Sequence, residues 1–125
     1  MAEGWARKLI SNKVSPYSAG THPEKLDAKA VRVMAEADVD ISKQKSKSID
    51  GIKNITFDYV VTVCDQAREE CPYFPTRIKL IHVSFDDPPW LAAKINDEEK
   101  TLNIYRRVRD EIKAFVEKLP ELLKE

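Results

Sequence analysis

The segment "TFDYVVTVC", residues 56–64, constrains the fold more than any other part of the chain. Its centre, from Tyr59 to Val63, consists of β-branched and aromatic residues, which are typical of a β-strand. A run of this kind without polar alternation predicts a strand that is covered on both faces. Such strands occur in α/β folds, where helices pack on both sides of a largely parallel sheet.

Helical patterns surround this strand in the sequence. Residues 1–11 carry an apolar stripe, residues 23–39 form a second amphipathic segment with Asp27 as the expected N-cap, and a long helix closes the chain around residues 105–119. Two further strands are expected, at residues 77–85 and at residues 14–18, where Pro16 favours a sheet edge. The sequence therefore predicts a single three-layer α/β domain with a mostly parallel sheet of three visible strands.

Composition limits the classes of function. The 125 residues suffice for one domain, and 21 basic residues balance 21 acidic ones, so neither a nucleic-acid partner nor an anionic membrane is expected. No apolar run approaches the length of a membrane span, and the first residues do not resemble a signal peptide. Two cysteines do not make a disulfide scaffold, so we expect a reducing, cytoplasmic location.

Polar residues follow each expected strand. They are "SAGT" at residues 18–21, Cys64, and "DDP" at residues 86–88. Because ligands of open α/β sheets bind beyond the carboxyl ends of the strands, these three loops are expected to converge on one rim.

Cys64 and Cys71 are separated by six residues, "DQAREE". This is not C-x-x-C, and His22 and His82 are not spaced as ligand pairs, so no metal site is predicted. Two interpretations of the cysteines stay open. Both can be small core residues, or they can be a redox pair at the rim joined by a polar, movable segment.

Asp87 stands directly before Pro88, which fixes the backbone there. The pair can be a simple turn, since Asp-Pro commonly begins turns. It can also hold a carboxyl group on a stiff loop as a general acid.

Five segments together resemble the thioredoxin-coupled arsenate reductases, which share the fold of low-molecular-weight protein tyrosine phosphatases. They are "MAEGWAR", "YSAGTHP", "VVTVCDQAREECP", "FDDP" and "YRRVRDEIKAFVEKL", and the resemblance spans residues 1–119. It implies reduction of arsenate, with a phosphate-like oxyanion as ligand and thioredoxin as partner. Asp87 would be the general acid, Cys64 the second cysteine of the thiol relay, and Cys71 the third, with thioredoxin reducing the Cys64–Cys71 disulfide.

The chain departs from the family pattern at two places. Val83 and Ser84 replace a Trp-Gly pair before "FDDP", and Lys47 stands where some members carry a carboxylate ligand to potassium. The resemblance therefore implies no cofactor and no metal ion for this chain.

The resemblance also implies that "MAEGWAR" follows a first strand and a phosphate-binding loop of the form C-x5-R-S. That loop supplies the nucleophilic cysteine and an oxyanion-binding arginine. We therefore expect residues 1–125 to be an N-terminally truncated domain that lacks an interior strand and is inactive alone. Two other functions stay open: a phosphatase of the same fold, which needs Asp87 but neither cysteine, and a non-catalytic fragment.

Overall fold

The computed structural model describes residues 1–19, 27–44, 48–52, 54–63, 79–86 and 88–123. In chain order these form α1 (Ala2–Leu9), α2 (Ala28–Glu36), a 3-10 turn (Ile49–Ile52), β1 (Tyr59–Thr62), β2 (Lys79–His82), α3 (Pro88–Ala92) and α4 (Glu98–Leu122). Helices and parallel strands occur in one chain, and the α/β prediction is confirmed. No helix among these residues is long and apolar enough to cross a membrane.

Aspartates begin two of the helices. The side chain of Asp27 accepts a hydrogen bond of 2.9 Å from the backbone N–H of Lys29 at the start of α2. Asp97 accepts one of 3.1 Å from the N–H of Lys100 at the start of α4. Both satisfy backbone donors that have no partner within the first helical turn. The N-cap predicted at Asp27 is therefore confirmed.

The described sheet consists of β1 and β2, which pair in parallel with Tyr59 opposite Lys79 and Thr62 opposite His82. Because side chains alternate along a strand, the pair presents two different faces. Val61 and Ile81 pack against the hydrophobic core, whereas Leu80 on the opposite face is exposed. The expectation that β1 is covered on both faces is wrong in degree, since its four residues are only partly buried.

Two local predictions differ from the structure. Residues 14–18 form no strand, because side chains hold this segment against α1 and Pro16 has no N–H for a ladder. The guanidinium of Arg7 donates to the carbonyl of Pro16 at 3.0 Å, and the Ser18 hydroxyl donates to Glu3. The segment "DDPPW", residues 86–90, is expected as a loop, but its last three residues belong to the short helix α3, which has Pro88 at its first position. The first strand expected ahead of Met1 stays a prediction.

Three helices build most of the core. The longest, α4, packs against α1, α2 and α3. The buried hydrophobic side chains come from α1, α2, α4 and the segment after α2: Trp5, Ala6, Ile10, Ala30, Val33, Met34, Val39, Ile41, Leu102, Tyr105, Val108, Ile112, Val116 and Leu119. At one end of this core the Tyr105 hydroxyl donates to Asp27 Oδ2 at 2.5 Å, which ties α4 to the first turn of α2.

Gly4 allows α1 to lie close to the chain that follows α2. A Cβ atom at this position would lie 2.6 Å from Cγ2 of Ile41 and 3.3 Å from Cγ1 of Val39. The shorter of these distances is below van der Waals contact. Ile41 is almost fully buried, so the segment that follows α2 has little room to move away. A residue without a Cβ atom is therefore required for this helix contact.

The carboxyl end of α4 contacts the beginnings of both strands. The Tyr59 hydroxyl donates to the carbonyl of Leu123 at 3.1 Å, and the ammonium group of Lys79 donates to that of Leu122 at 3.2 Å. The last carbonyls of a helix have no partner within it, so these two side chains supply partners for them. α4 therefore runs back along the sheet from the strand ends to the strand starts.

Candidate active site at the carboxyl ends of the strands

The carboxyl ends of β1 and β2 bring two polar side chains together. Thr62 is the last residue of β1 and His82 the last of β2, and the parallel register sets them side by side. Thr62 Oγ1 lies 2.7 Å from His82 Nδ1, which is hydrogen-bond distance. The His82 residue is exposed.

Backbone contacts continue the sheet beyond this pair. The N–H of Val83 donates to the carbonyl of Thr62 at 2.8 Å, so the chain after β2 stays fixed to the end of β1. Two residues later the ring of Phe85 meets Phe115 of α4 edge to face, with ring centroids 5.9 Å apart. These two contacts hold the start of the "FDDP" segment between the sheet and α4.

Asp86 is held by an ion pair on the same segment. Its Oδ2 lies 3.0 Å from Nη2 of Arg107. The other terminal nitrogen of Arg107, Nη1, lies 3.1 Å from Oε2 of Glu111. The hydrogen bond that Arg107 donates to Asp86, together with the one it donates to Glu111, raises the pKa of Arg107 above its ordinary value. Asp86 is therefore engaged with α4.

α3 begins immediately after the aspartate pair. Pro88 is buried, whereas Trp90 on the same short helix is 56% exposed. A buried proline at the first helical position fixes the direction in which the chain enters α3.

The three site residues expected from the sequence, Cys64, Cys71 and Asp87, lie outside the described residues, as does Lys47. The structure does place the elements that lead to them. Thr62 precedes Cys64 by two residues, and Asp86 precedes Asp87 directly. The ends of β1 and β2 are adjacent and parallel, whereas the convergence of the three loops stays a prediction.

The third expected loop begins beside α1. Ser18 donates its hydroxyl hydrogen to the carboxylate of Glu3, which also pairs with Arg7 at 2.9 Å. Tyr17 contacts Phe57 edge to face, with centroids 5.6 Å apart, and so links this segment to the approach to β1. Residues 20 and 21 of "SAGT" lie outside the described residues.

Sequence reasoning considered His82 only as a metal ligand and did not consider Thr62. Neither residue belongs to a motif that the sequence shows. The signal that could have found them is the strand register, because aligning the two strands by their carboxyl ends sets the hydroxyl beside the imidazole.

Comparison with known proteins decides the family. A family model described as low molecular weight phosphotyrosine protein phosphatase matches residues 1–125. The chain belongs to this family. Several relatives that are 38–41% identical to this chain are named arsenate reductase. The one from Bacillus licheniformis is 40% identical over 121 residues, which cover 97% of this chain and 85% of the relative.

Other relatives give the same picture. The arsenate reductase of Bacillus subtilis is 41% identical over 112 residues, covering 90% of this chain and 78% of the relative. Among solved structures, arsenate reductase from Archaeoglobus fulgidus superposes with a TM-score of 0.69 at 27% identity, covering 94% of this chain and 86% of that one. The predicted fold, that of the low-molecular-weight phosphatases, is thereby confirmed.

Proposed function

We propose that this family member is an arsenate reductase that works through a thiol–disulfide relay. The observation that carries the proposal is the pair Cys64 and Cys71 in a chain whose relatives named arsenate reductase are about 40% identical across nearly all of it. The phosphatase chemistry of the fold does not need this pair, whereas a relay does. The adjacent strand ends, which lead into Cys64 and Asp87, support the assignment.

The proposed reaction moves two electrons from thiols to arsenic. A nucleophilic cysteine bonds to arsenate with loss of water, and Asp87 supplies the proton for the leaving oxygen. Cys64 as thiolate then attacks that cysteine's sulfur, so the S–As bond breaks and As(V) leaves as As(III) arsenite. Cys71 attacks the resulting disulfide, forms the Cys64–Cys71 bond and frees the first cysteine.

Regeneration needs a dithiol donor, for which we propose thioredoxin. Its two thiols are oxidised as the Cys64–Cys71 disulfide returns to two thiols, so each arsenite formed consumes one dithiol. A cytoplasmic location fits this chemistry, because structural and catalytic thiols stay reduced there.

The role of Asp87 as the acid is supported by its neighbour. Asp86 is paired with Arg107 of α4 at 3.0 Å, so its side chain is already engaged with the helix. In the protein extended by the C-x5-R loop, we expect Asp87→Asn to lower the rate of arsenate reduction by about 100-fold or more, the usual size of general acid catalysis. Asp86→Asn is the matched control and should have the smaller effect. The opposite ranking would contradict the assignment.

Coupled turnover tests the relay itself. In the longer protein, with a C-x5-R loop ahead of residue 1, arsenate-dependent oxidation of NADPH through thioredoxin reductase and thioredoxin should disappear in Cys64→Ser and in Cys71→Ser. In the Cys71→Ser variant, mass spectrometry should instead find Cys64 in a mixed disulfide, because the resolving thiol is absent. Undiminished turnover of either variant would contradict the proposal.

The nucleophile expected ahead of Met1 can be tested separately. Residues 1–125 are compared with the same chain preceded by a strand and a C-x5-R loop from a relative. We expect arsenate reduction only from the longer protein. Reduction by residues 1–125 alone would contradict the expected position of the nucleophile.

A phosphatase is the second candidate, because the matching family model is named for that activity. The two functions separate on the Cys64→Ser, Cys71→Ser double variant. A phosphatase would keep its hydrolysis of an aryl phosphate in this variant, whereas an arsenate reductase would lose all turnover with arsenate.

A further inference from the structure

We propose that the cavity between α2, α3 and α4 binds a small amphipathic carboxylate, with the negative charge of the ligand at Lys29 and an uncharged hydroxyl or carbonyl group at Thr101. The cavity has a volume of about 480 Å³. Sites for small molecules typically measure about 300–1,000 Å³. None of the described residues that line this cavity is assigned to the relay, so the inference is independent of the proposed function.

Contacts within the chain hold the walls of this cavity in place. On one side, the N–H of Ile95 donates to the carbonyl of Ala92 at 3.0 Å and fixes the chain where it leaves α3. On the other side, the hydrogen bond from Tyr105 to Asp27 ties α4 to α2. The walls are therefore fixed relative to one another, and binding of a ligand requires little further ordering.

Thr101 supplies the observation that points to a ligand. This residue of α4 is 7% exposed and lines the cavity. Its backbone N–H donates to the carbonyl of Asp97 at 3.0 Å, but its hydroxyl has no hydrogen-bond partner among the described residues. Buried hydroxyl groups are nearly always hydrogen-bonded, so we expect the partner of this one to come from outside the chain. An uncharged group of a ligand makes that bond without bringing a charge into the interior.

The side of the cavity formed by α3 and the chain after it is apolar. Pro89, Ala92 and Ile95 line it, and the last two are partly buried. An apolar ligand body placed here removes hydrocarbon surface from water, which is favourable in proportion to the area covered. The ligand is therefore expected to be apolar between its two polar ends.

Lys29 sets the expected charge of the ligand. Among the described residues, Lys29, Asp97 and Glu98 are the charged ones that line the cavity. Both carboxylates have partners. Asp97 accepts the N–H of Lys100 at 3.1 Å, and Glu98 lies 3.3 Å from Arg32. The Lys29 side chain is exposed and has no ion pair among the described residues, so it can pair with a carboxylate. The two acidic neighbours disfavour ligands with more than one negative charge.

The compound 4-hydroxyphenylacetate carries the three required groups and serves as the probe. It is titrated into nitrogen-15-labelled chain of residues 1–125 and followed by NMR. We expect shifts at residues 29, 92 and 95–101, with a dissociation constant of about 1 mM for a ligand of this size. Phenylacetate lacks the hydroxyl, and 4-hydroxyphenylacetamide lacks the charge. Each should bind about three-fold more weakly than the probe.

Two substitutions match these two changes in the ligand. Thr101→Val should weaken binding of the probe about three-fold without affecting phenylacetate, because only the probe can bond to the hydroxyl. Lys29→Gln should weaken the probe about three-fold without affecting 4-hydroxyphenylacetamide, which carries no charge. Lys100→Gln is the matched control for Lys29→Gln and should leave binding unchanged, because Lys100 is exposed and does not line the cavity.

A second pair of variants tests the location without removing a polar group. Ala92 lines the cavity, whereas its neighbour Ala93 is exposed and does not. Ala92→Leu should abolish binding because the larger side chain occupies the space, and Ala93→Leu should retain it. Circular dichroism and thermal melting check that each variant is folded. If Thr101→Val does not fold, the leucine pair and the comparison of the three ligands decide the question.

Three results would overturn the proposal. The first is a titration that produces no shifts at the residues of the cavity. The second is equal binding of the probe and phenylacetate, which would show that water alone satisfies the Thr101 hydroxyl. The third is binding that Ala92→Leu leaves unchanged, which would place the ligand elsewhere. None of these results bears on arsenate turnover, which the cysteine variants test separately.

Discussion

The helical layer and the described sheet differ in burial although they belong to one small domain. Val33, Leu102 and Val108 on α2 and α4 are 1% exposed or less, whereas Leu80 on β2 is 43% exposed. The hydrophobic effect scales with the apolar area removed from water, so the helices contribute most of the stability. The strands contribute less to it, but their ends lead to the residues to which we assign the proposed chemistry. In this proposal, stability and reactivity are concentrated in different parts of the molecule.

The largest expected effect comes from making the same substitution, leucine to alanine, in the helical core and on the exposed face of the sheet. Leu102→Ala leaves a cavity in the helical core and should lower the free energy of unfolding by about 2–5 kcal/mol. Leu80→Ala removes a side chain that is already half in water and should cost about 1 kcal/mol or less. Urea denaturation measures both. Equal losses would show that the exposed face of the sheet is as important to stability as the helical core.

Two tyrosines extend the comparison to hydrogen bonds. Tyr105→Phe removes the buried bond to the Asp27 carboxylate and should cost about 1.5–3 kcal/mol, the range for bonds to charged groups. Tyr59→Phe removes a bond to a backbone carbonyl at the start of β1 and should cost about 0.5–1.5 kcal/mol. Urea midpoints at constant slope measure the difference. A larger loss from Tyr59→Phe would reverse the ranking of the two layers.

Gly4 tests how tightly the helical layer is packed. Alanine normally stabilises a helix relative to glycine, but here its Cβ would lie 2.6 Å from Ile41. We expect Gly4→Ala to destabilise the protein by about 1–3 kcal/mol, the usual cost of overpacking. Gly51→Ala is the control, because a Cβ there meets no atom within 4 Å. Thermal melting should show a lower midpoint for the first variant and little change for the second.

The smallest expected effect lies on the outside of the helical layer. Hydrogen bonds from Arg106, at 2.9 and 2.8 Å, are the main reason that the pKa of Glu36 falls from 4.5 to about 2. A carboxyl group whose pKa is lowered in the folded state stabilises the protein above its unfolded pKa and loses that contribution as the pH falls. The contribution should therefore be complete above about pH 4.5 and should decrease between pH 4.5 and 2.

Glu36→Gln tests this pH dependence. Its free energy of unfolding should depend less steeply on pH between 4.5 and 2 than that of the unaltered protein, because the ion pair is already absent. Glu117→Gln is the control, since Glu117 is an exposed carboxylate of α4 without an ion pair among the described residues. Parallel curves for all three proteins would contradict the assigned role of Glu36.

Local sequence signals predicted the helical layer better than the site. The stripe containing Trp5, the Asp27 cap and the closing helix follow from periodicity and capping, which act within a few residues. Residues 14–18 resemble a strand locally, but Arg7 and Glu3 hold them by contacts that the local pattern does not encode. Pro88 likewise indicates a turn, although proline is equally suited to begin a helix.

The contacts that complete the site join residues far apart in the chain. Thr62 and His82 are 20 residues apart and meet only through the strand register. Asp86 and Arg107 meet because α4 folds back along the sheet. The roles of Cys64, Cys71 and Asp87 were suggested by family resemblance rather than by spacing, and they stay predictions that the experiments above decide.

Because α4 returns along the sheet and contacts it at both ends, the length of the helix between these contacts has to match the length of the strand segment beside it. From Lys79 to Asp86 are seven steps, which can extend to about 23 Å, and from Arg107 to Leu122 are fifteen helical steps, or about 22 Å. The length of α4 between its two contacts with the sheet therefore matches the length of the segment that leads to Asp87. Deleting one residue between His82 and Asp86 would shorten that segment by about 3.3 Å. Either Lys79 would then lose its contact with Leu122 or Asp86 its contact with Arg107, and the segment that leads to Asp87 would shift relative to the sheet.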